Sequence, residues 1–472
     1  MEEMQHIPKK KAIRKKPRSL ERIIKEDYLP YGIAALTLLL VIIFIGNAIG
    51  RAVEHHKAEE IAASIAAEEA ALEAQRQREQ AIMQLIANAD SMMQEYNYSG
   101  ARTLLETYSS EMTEFPALQA KYNEVVEIID SLVEWNDLSK VVNLSFHALI
   151  ADPTRAFADA GYGSGYRTSH ITCSEFSAIL GELYANGYIL IDLEDMVTIS
   201  ESADGVLSFT PKSLYLPQGK KPLMLTETND NYYAYMVDGN NDGIADKDGD
   251  GFASKLVIDG DGNITAQYIN PNGDVITGDF DVVPILERFI QAHPDFSYKG
   301  ARAMLAVSGY EGIFGYRIDG KSKRNLSSAD YEQEVAGAQQ LVDALRAKGY
   351  TIACYTYGNL AYGKLSVDDI QADLTKWQEE ISPILSDVNM LVYAKNSELD
   401  DSDYNSAKYA ALRQAGFHGF FGISDNGSTW AKVDSDYLRQ DRILVTGSNL
   451  TKNSGWFSGM FNCANVRDAA RD

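Results

Sequence analysis

Cysteine and histidine are scarce in this chain of 472 residues, which contains three cysteines and seven histidines. So few cysteines exclude a disulfide-stapled scaffold and a zinc ribbon built from thiolates. Basic residues are also outnumbered, with 43 lysines and arginines against 67 acidic residues and a net charge of −24. A nucleic-acid partner is therefore not expected, because binding to phosphates needs a basic surface.

The charge is divided unevenly along the chain. Residues 1–28 hold nine basic and five acidic residues, whereas residues 29–472 hold 34 basic and 62 acidic ones. A basic tail is thus joined to a very acidic body. Hydrophobic residues make up 45% of the chain, which is enough to build a core and excludes global disorder. The length predicts two or three folded units.

An uncharged apolar run at 29–50 separates the basic tail from the acidic body. Its length suits a transmembrane helix, whereas a cleaved signal peptide would have a shorter apolar region and a small-residue cleavage site. The basic cluster precedes the run, so the positive-inside rule places residues 1–28 in the cytoplasm and 51–472 outside. The sequence therefore predicts a single-pass protein of the cell membrane with an extracellular main domain.

A helical stalk is predicted for residues 51–135. Residues 52–90 are rich in alanine, glutamate and glutamine and contain no proline or glycine, a composition that favours helix. An alanine-rich seam would allow stalks to pair as a coiled coil and form a homo-oligomer. Residues 91–134 are typical of a helical hairpin that lifts the next domain off the membrane.

Residues 138–445 alternate short β-branched runs with amphipathic helical patterns. KVVNLSFHALI and YTIACYTYG are typical of buried strands, and CSEFSAILGELYANGY is typical of a helix. This alternation predicts right-handed crossovers around a parallel sheet or barrel. The pattern ends at residue 445, and a C-terminal tail is expected at 446–472, with residues 450–472 loosely held.

These elements, in this order, resemble the NodB-type polysaccharide deacetylases, most closely an anchored branch seen in Gram-positive bacteria. The resemblance covers roughly residues 138–445 and is carried by VVNLSFHALIAD, LTETNDNYYAYM, HPDFSYKGAR, LVDALRAKGYTIACYTYGN and LRQAGFHGFFGI. It implies an α/β fold, a distorted (β/α) barrel, preceded here by a transmembrane helix and an α-helical stalk. It also implies metal-assisted removal of N-acetyl groups from N-acetylglucosamine polymers.

The family reaction uses two adjacent aspartates, one as the base and one as a metal ligand, and two histidines that complete the metal site. This sequence departs at all four positions, with Thr228 and Asn229 for the aspartates and Tyr355 and Asn359 for the histidines. Threonine cannot act as a base at neutral pH, and the asparagine carbonyl is a weak ligand for zinc-type ions. Tyrosine is a poor ligand because its unperturbed pKa is about 10.

Other residues near these positions do not restore the family site. A one-residue slip would bring Asp230 towards an ion, and His147 ends a strand either near the mouth of the barrel or packed at its rim. Beyond the stalk there are four histidines, and no two lie within ten residues of each other. No local pair is therefore expected to replace the lost ligands, and a zinc-type ion is not expected in this cleft.

Three functions remain open from the sequence. The first is an inactive deacetylase-like protein that binds cell-wall glycan containing N-acetylglucosamine. The second is an active metal-dependent N-deacetylase with a rearranged site, and the third is a structural surface module with a protein partner. Candidate sugar contacts are Tyr232, Tyr233, Tyr357 and Arg317, although core packing or a structural ion pair would also explain them.

An acidic insertion at 238–263 is the clearest metal-binding signal. The acids and amides alternate before Gly243 and again before Gly251, as in calcium loops, and they resemble the calcium repeats of thrombospondin type 3 or dockerin modules. The candidate ligands are Asp238, Asn240, Asp242, Asp246, Asp248 and Asp250. The glutamate usual at the twelfth position is missing, so weak calcium binding is expected. The alternative is an acidic turn before a hairpin.

Overall fold

The computed structural model describes residues 19–203, 207–239, 245–386, 388–400 and 404–471. The chain divides into two compact units, Met1–Gln84 and Leu85–Asp472. Of the first unit, the basic segment 1–18 lies outside the described residues.

A single helical run, Leu20–Gln94, dominates the N-terminal part of the chain. It is α-helical at Leu20–Ile23 and Leu29–Gln94, with a π-helical turn at Ile24–Tyr28. Pro30 follows this turn and has no N–H, so it cannot form the helical hydrogen bond to the carbonyl four residues earlier. The missing bond accounts for the wider π-helical turn. By length and composition the run could cross a membrane once, as predicted for 29–50.

The remaining α-helices belong to the second unit. In chain order they are Tyr98–Glu106, Pro116–Ser131, Pro153–Ala158, Gly163–Ser169, Cys173–Ala185, Ala234–Val237, Val282–Ala292, Gly320–Asn325, Ser328–Lys348, Val367–Lys376, Ser382–Leu385, Ala407–Gln414, Gly447–Lys452 and Cys463–Val466.

The strands of the described ranges are numbered in chain order. They are β1 Val133–Trp135, β2 Val142–His147, β3 Tyr188–Leu190, β4 Val197–Glu201, β5 Leu207–Pro211, β6 Leu214–Leu216, β7 Lys221–Thr228, β8 Lys255–Ile258, β9 Ile264–Ile269, β10 Val275–Gly278, β11 Met304–Val307, β12 Thr351–Cys354, β13 Met390–Val392, β14 Gly419–Ile423, β15 Ala431–Val433 and β16 Leu438–Leu444.

Seven of these strands close into a parallel barrel. The order is β7, β11, β12, β13, β14, β16 and β2, and β2 pairs back with β7. One edge of β7 has two partners: β3 pairs with its first half and β11 with its second half. This divided pairing distorts the barrel. The predicted α/β class and the distorted (β/α) barrel are confirmed.

The helix Cys173–Ala185 shows how local sequence builds the layer around the barrel. Thr172 and Glu175 form a reciprocal capping box at its start, which satisfies the first free backbone N–H groups. Phe176, Ile179 and Leu183, which share one face of the helix, are fully buried. The helix therefore packs its apolar face into the main core, as its spacing predicts.

Segments outside the barrel strands also pack on the second unit. Tyr96 donates its hydroxyl to the carbonyl of Asp295 at 2.7 Å, so the residues that follow the long helix are tied to the barrel unit. At the other end, Arg471 is 7% exposed and forms an ion pair with the fully buried Glu175. The C-terminal segment, expected to be loosely held, is thus anchored in the structure, because its last arginine satisfies a buried carboxylate.

Candidate functional site

The carboxyl ends of β2 and β7 meet at the mouth of the barrel. The strand register places His147 opposite Thr228, and Thr228 opposite Ala306 of β11. The Thr228 hydroxyl lies 3.0 Å from the carbonyl of Phe146 and 2.9 Å from Nδ1 of His147. A hydroxyl has one hydrogen, so if it donates to the carbonyl, Nδ1 of His147 carries the proton and Nε2 keeps its lone pair.

His170 joins this mouth from the segment that follows β2. Its ring centroid lies 5.5 Å from that of His147, and its Nδ1 lies 2.9 Å from the Ser169 hydroxyl. Burial lowers the pKa of His147 to about 4, with a further contribution from Arg442. Burial also lowers the pKa of His170 to about 3, assisted by His147 and Arg471. Both rings are therefore neutral near neutral pH.

The sequence predicted no local pair of histidines, and these two rings come from separate segments that the fold brings together. Sequence spacing could not show that His147 and His170 lie close together. The contact arises because Ile150 and Thr172 form a parallel bridge, which brings the chain around His170 back beside β2. No short motif marks this return of the chain.

Asn229 and Asn359, two of the positions singled out by the sequence resemblance, converge in the segments that follow β7 and β12. Asn359 donates its side-chain amide to Oδ1 of Asn229 at 3.5 Å. The same oxygen accepts a hydrogen bond from the hydroxyl of Tyr233, which lies 2.8 Å from the Ser308 hydroxyl. The oxygen that Asn229 would offer to an ion is thus already engaged by two donors.

Tyr355 and Arg442 fill the interior beneath this mouth. Tyr355 is 4% exposed, and burial raises its pKa, which keeps its phenol protonated. Arg442 on β16 is 2% exposed and donates to the Gly422 carbonyl at 3.0 Å and to the Ser145 hydroxyl at 2.8 Å. Burial lowers the pKa of Arg442 to about 10. Sequence reasoning missed this arginine, whose only signal was a charge inside a buried strand.

Exposed tyrosines form a row on segments that follow the carboxyl ends of β2, β7 and β11. Tyr162, Tyr235 and Tyr310 are 52%, 42% and 53% exposed. Tyr235 lies 5.2 Å from Tyr162 and stacks on Tyr233 at 5.9 Å, and Tyr233 meets Tyr310 edge to face at 5.9 Å. One end of the row borders a cavity of about 270 Å³, lined by Tyr162, Gly165, Tyr166, Ser169, His170 and Tyr235. The three exposed rings were not among the predicted sugar contacts.

Most of the predicted sugar contacts are buried or hydrogen-bonded to other residues of the protein. Tyr232 is 1% exposed and so cannot stack on a sugar in this conformation. Tyr357 donates its hydroxyl to Glu380. Arg317 donates at 2.8 Å to the backbone carbonyls of Glu311 and Tyr232, so it supports a loop, and the nearby carboxylates of Glu311, Asp319 and Glu334 offset its charge.

The described part of the calcium-type loop has protein partners for its carboxylates. Oδ1 of Asp246 accepts from the backbone N–H groups of Gly239 and Asp248, at 3.1 and 2.8 Å. Asp248 pairs with Lys247 at 3.0 Å, and Asp250 accepts from the hydroxyl of Tyr166 at 2.6 Å. Asp238 is buried, and Asn240 and Asp242 lie outside the described residues. Calcium binding by this loop stays a prediction.

Asp230 lies in a different acidic cluster and not among the mouth residues. Oxygen atoms of Glu227, Asp230 and Asp281 lie within 4.8 Å of one another, and this is the one group of three potential metal ligands in the described ranges. Thr226 and Thr228 point into the barrel, where they contact Asn143 and His147, so the alternating Glu227 points to the outer face. The acids therefore lie behind the barrel wall.

Among known proteins, the chain is similar to a solved structure at low sequence identity. No protein-family model and no curated protein matches the chain. The structure of the Streptococcus pyogenes deacetylase PplD in complex with acetate is similar at a TM-score of 0.34 and 13% identity, over 68% of this chain and 98% of that one.

Proposed function

We propose that this protein is a membrane-anchored, deacetylase-like module of the cell surface that binds cell-wall glycan containing N-acetylglucosamine without hydrolysing it. The proposal joins the NodB-type sequence resemblance to the chemistry of the barrel mouth. The observation that carries it is the exposed row of Tyr162, Tyr235 and Tyr310 beside a mouth that lacks the family's ligands.

The tyrosine row offers the surface that sugar rings need. Aromatic faces stack against the C–H faces of a sugar, and tyrosine adds a hydroxyl that can bond to sugar hydroxyls. Tyr235 and Tyr310 flank Tyr233, which is held in place by its hydrogen bonds to Asn229 and Ser308. Tyr233 is itself 3% exposed, so it supports Tyr235 and Tyr310 from below, and these two rings lose less entropy when they bind an extended glycan.

The mouth is poorly equipped for metal-assisted hydrolysis. Water activation by a metal needs about three protein ligands and a base. Thr228 is hydrogen-bonded to its neighbours, and the oxygen of Asn229 already accepts two hydrogen bonds. The buried phenol of Tyr355 stays protonated and is therefore a poor ligand. Binding without turnover is the function that these groups support best.

The proposed location follows from charge and the apolar helix. The basic residues of 1–28 precede the apolar stretch, which favours a cytoplasmic N-terminus and an external barrel. Such a location gives the barrel access to cell-wall glycan.

Binding of chito-oligosaccharides by the full chain in detergent, measured by calorimetry, tests the proposal. Tyr235→Ala and Tyr310→Ala should each weaken binding about fivefold, corresponding to roughly 1 kcal/mol of stacking. Tyr108→Ala is the matched control, because Tyr108 is 41% exposed on the helical hairpin. Absence of binding by the folded wild-type chain would overturn the glycan proposal and favour a protein partner.

One observation favours a second candidate, an active hydrolase with a rearranged site. His147 and His170 are neutral near neutral pH and lie side by side, so the two imidazoles could together bind a divalent metal ion. In the resembled deacetylases that ion is bound by residues at other positions. Acetate release from chitin oligomers and peptidoglycan, with zinc, cobalt or nickel added, distinguishes the two. Metal-dependent turnover that His170→Gln abolishes would replace the binding proposal with this one.

A further inference from the structure

Three carboxylates are buried together behind the barrel wall. Glu227 is 1% exposed, and Asp230 and Asp281 are fully buried. Their oxygen atoms lie within 4.8 Å of one another. Like charges this close repel strongly in a medium from which water is excluded, so this arrangement needs either protons or a cation.

The hydrogen bonds around the cluster do not provide that compensation. Oδ1 of Asp281 accepts from the backbone N–H groups of Leu149 and Val282, each at 2.9 Å. Its Oδ2, and both carboxylate oxygens of Glu227 and Asp230, have no hydrogen-bond partner among the described residues. Five buried acceptor atoms therefore remain unsatisfied, and burying one carboxylate oxygen without a partner already costs free energy.

Tyr232 provides a second, independent observation. Its side chain is 1% exposed, and its hydroxyl also lacks a hydrogen-bond partner in the described ranges. The hydroxyl interacts with Asp281, Asp230 and Glu227, and burial together with these three carboxylates raises its pKa. A neutral phenol aimed at three acids completes a group made only of oxygen donors.

We propose that Glu227, Asp230 and Asp281 bind a hard divalent cation of the calcium or magnesium class, with the hydroxyl of Tyr232 as a further contact. Both ions prefer carboxylate and other oxygen ligands. Calcium–oxygen distances of about 2.4 Å place opposite ligands about 4.8 Å apart, and magnesium places them closer. The spread of these oxygens fits such a shell.

The position of the cluster in the chain gives the ion a structural role. Glu227 belongs to barrel strand β7, and Asp230 and Asp281 lie on either side of the segment 231–280, which contains the insertion at 238–263. One ion would fasten both ends of this longer segment to the barrel wall. This site differs from the calcium-type loop within the insertion and does not depend on glycan binding.

Metal analysis of the full chain in detergent tests the proposal. After treatment with a chelator, the protein is incubated with calcium, magnesium or manganese chloride and passed through gel filtration. We expect one ion per chain to be retained, a higher melting temperature with the ion, and loss of both effects in Glu227→Gln. A double Asp246→Asn and Asp248→Asn variant of the loop should keep this ion.

Terbium luminescence excited through tyrosine provides a measurement that does not depend on removing a carboxylate. The wild type should sensitise bound terbium, and Tyr232→Phe should lose most of that signal while retaining calcium. A wild-type chain that holds no ion and melts identically with and without chelator would overturn the proposal and assign protons to the acids. Loss of the ion in the loop variant, with retention in Glu227→Gln, would also overturn it.

Discussion

The imidazole rings of His147 and His170 lie 5.5 Å apart at the mouth of the barrel, although they are distant in sequence. Each ring is held by a hydroxyl, Thr228 for His147 and Ser169 for His170. A hydroxyl partner satisfies one ring nitrogen without adding charge, so it suits a neutral imidazole. The pair is thus a neutral polar surface beside the tyrosine row, and His170 lines the cavity next to Tyr162 and Tyr235.

The histidine pair should make the fold sensitive to acid. Burial depresses the pKa of His147 to about 4 and of His170 to about 3, whereas an unfolded histidine titrates at about 6.5. The contribution of each neutral ring to stability is therefore fully present above about pH 6.5 and is lost as the pH falls towards these values, by up to about 1.4 kcal/mol per pH unit per ring.

Unfolding free energies measured between about pH 7 and pH 4.5 test this expectation. The free-energy difference between wild type and His170→Gln should shrink as the pH falls, because glutamine takes up no proton. His55→Gln, in the long exposed helix, should leave the curve unchanged. A difference that is constant across this range would contradict neutral burial of His170.

The buried ion pair between Arg471 and Glu175 should contribute strongly to stability. Nη2 of Arg471 lies 2.6 Å from Oε2 of Glu175, which is fully buried. Arg471→Ala leaves that carboxylate without its cation and should cost about 3 kcal/mol of unfolding free energy in urea. Arg324→Ala, at an exposed position, should change it by less than about 0.5 kcal/mol. Equal effects of the two variants would show that the C-terminal contact is dispensable.

Calcium should bind the loop at 238–254 weakly, separately from the buried acids. Extracellular calcium loops bind with Kd values of about 10⁻⁴–10⁻³ M. Equilibrium dialysis at millimolar calcium should show that Asp242→Ala plus Asp248→Ala reduces the number of calcium ions bound per chain. Glu227→Gln should still bind calcium at the loop. An unchanged count in the loop variant would reject calcium binding there.

Introducing the ligands implied by the deacetylase resemblance should create a metal site. Asn229 and Asn359 already touch through their side chains, and Tyr355 lies buried below the same mouth. The triple variant Asn229→Asp, Tyr355→His and Asn359→His should therefore bind zinc, as measured by calorimetry, whereas the wild type should not. A folded triple variant without zinc affinity would contradict the equivalence of these positions with the family site.

Protease treatment of intact cells tests the membrane orientation. Lys57 and Arg76 are exposed on the helix beyond the apolar run, so external trypsin should cut there and release the barrel. A cytoplasmic protein followed in parallel should stay intact. Recovery of the whole chain from treated cells with an accessible surface would place the barrel inside.

The sequence by itself determined the apolar helix and the alternating barrel elements, and through a family resemblance it predicted four altered ligand positions. These features are encoded locally, because helix faces and buried strands repeat over a few residues. Asn229 and Asn359 follow strands β7 and β12, whose carboxyl ends meet at one face of a parallel barrel. Asn229 and Asn359 could thus be expected to lie together before any coordinates were known.

Only the tertiary structure decided which loop residues gather at the mouth and behind the wall. His170 returns to His147 through a bridge at Ile150, and Asp281 reaches Glu227 across the whole insertion. Such contacts depend on where a long connection re-enters the fold, and no local period records that. Pleating decided the rest, because one step along β7 turns Thr228 to the mouth and Glu227 to the buried acids.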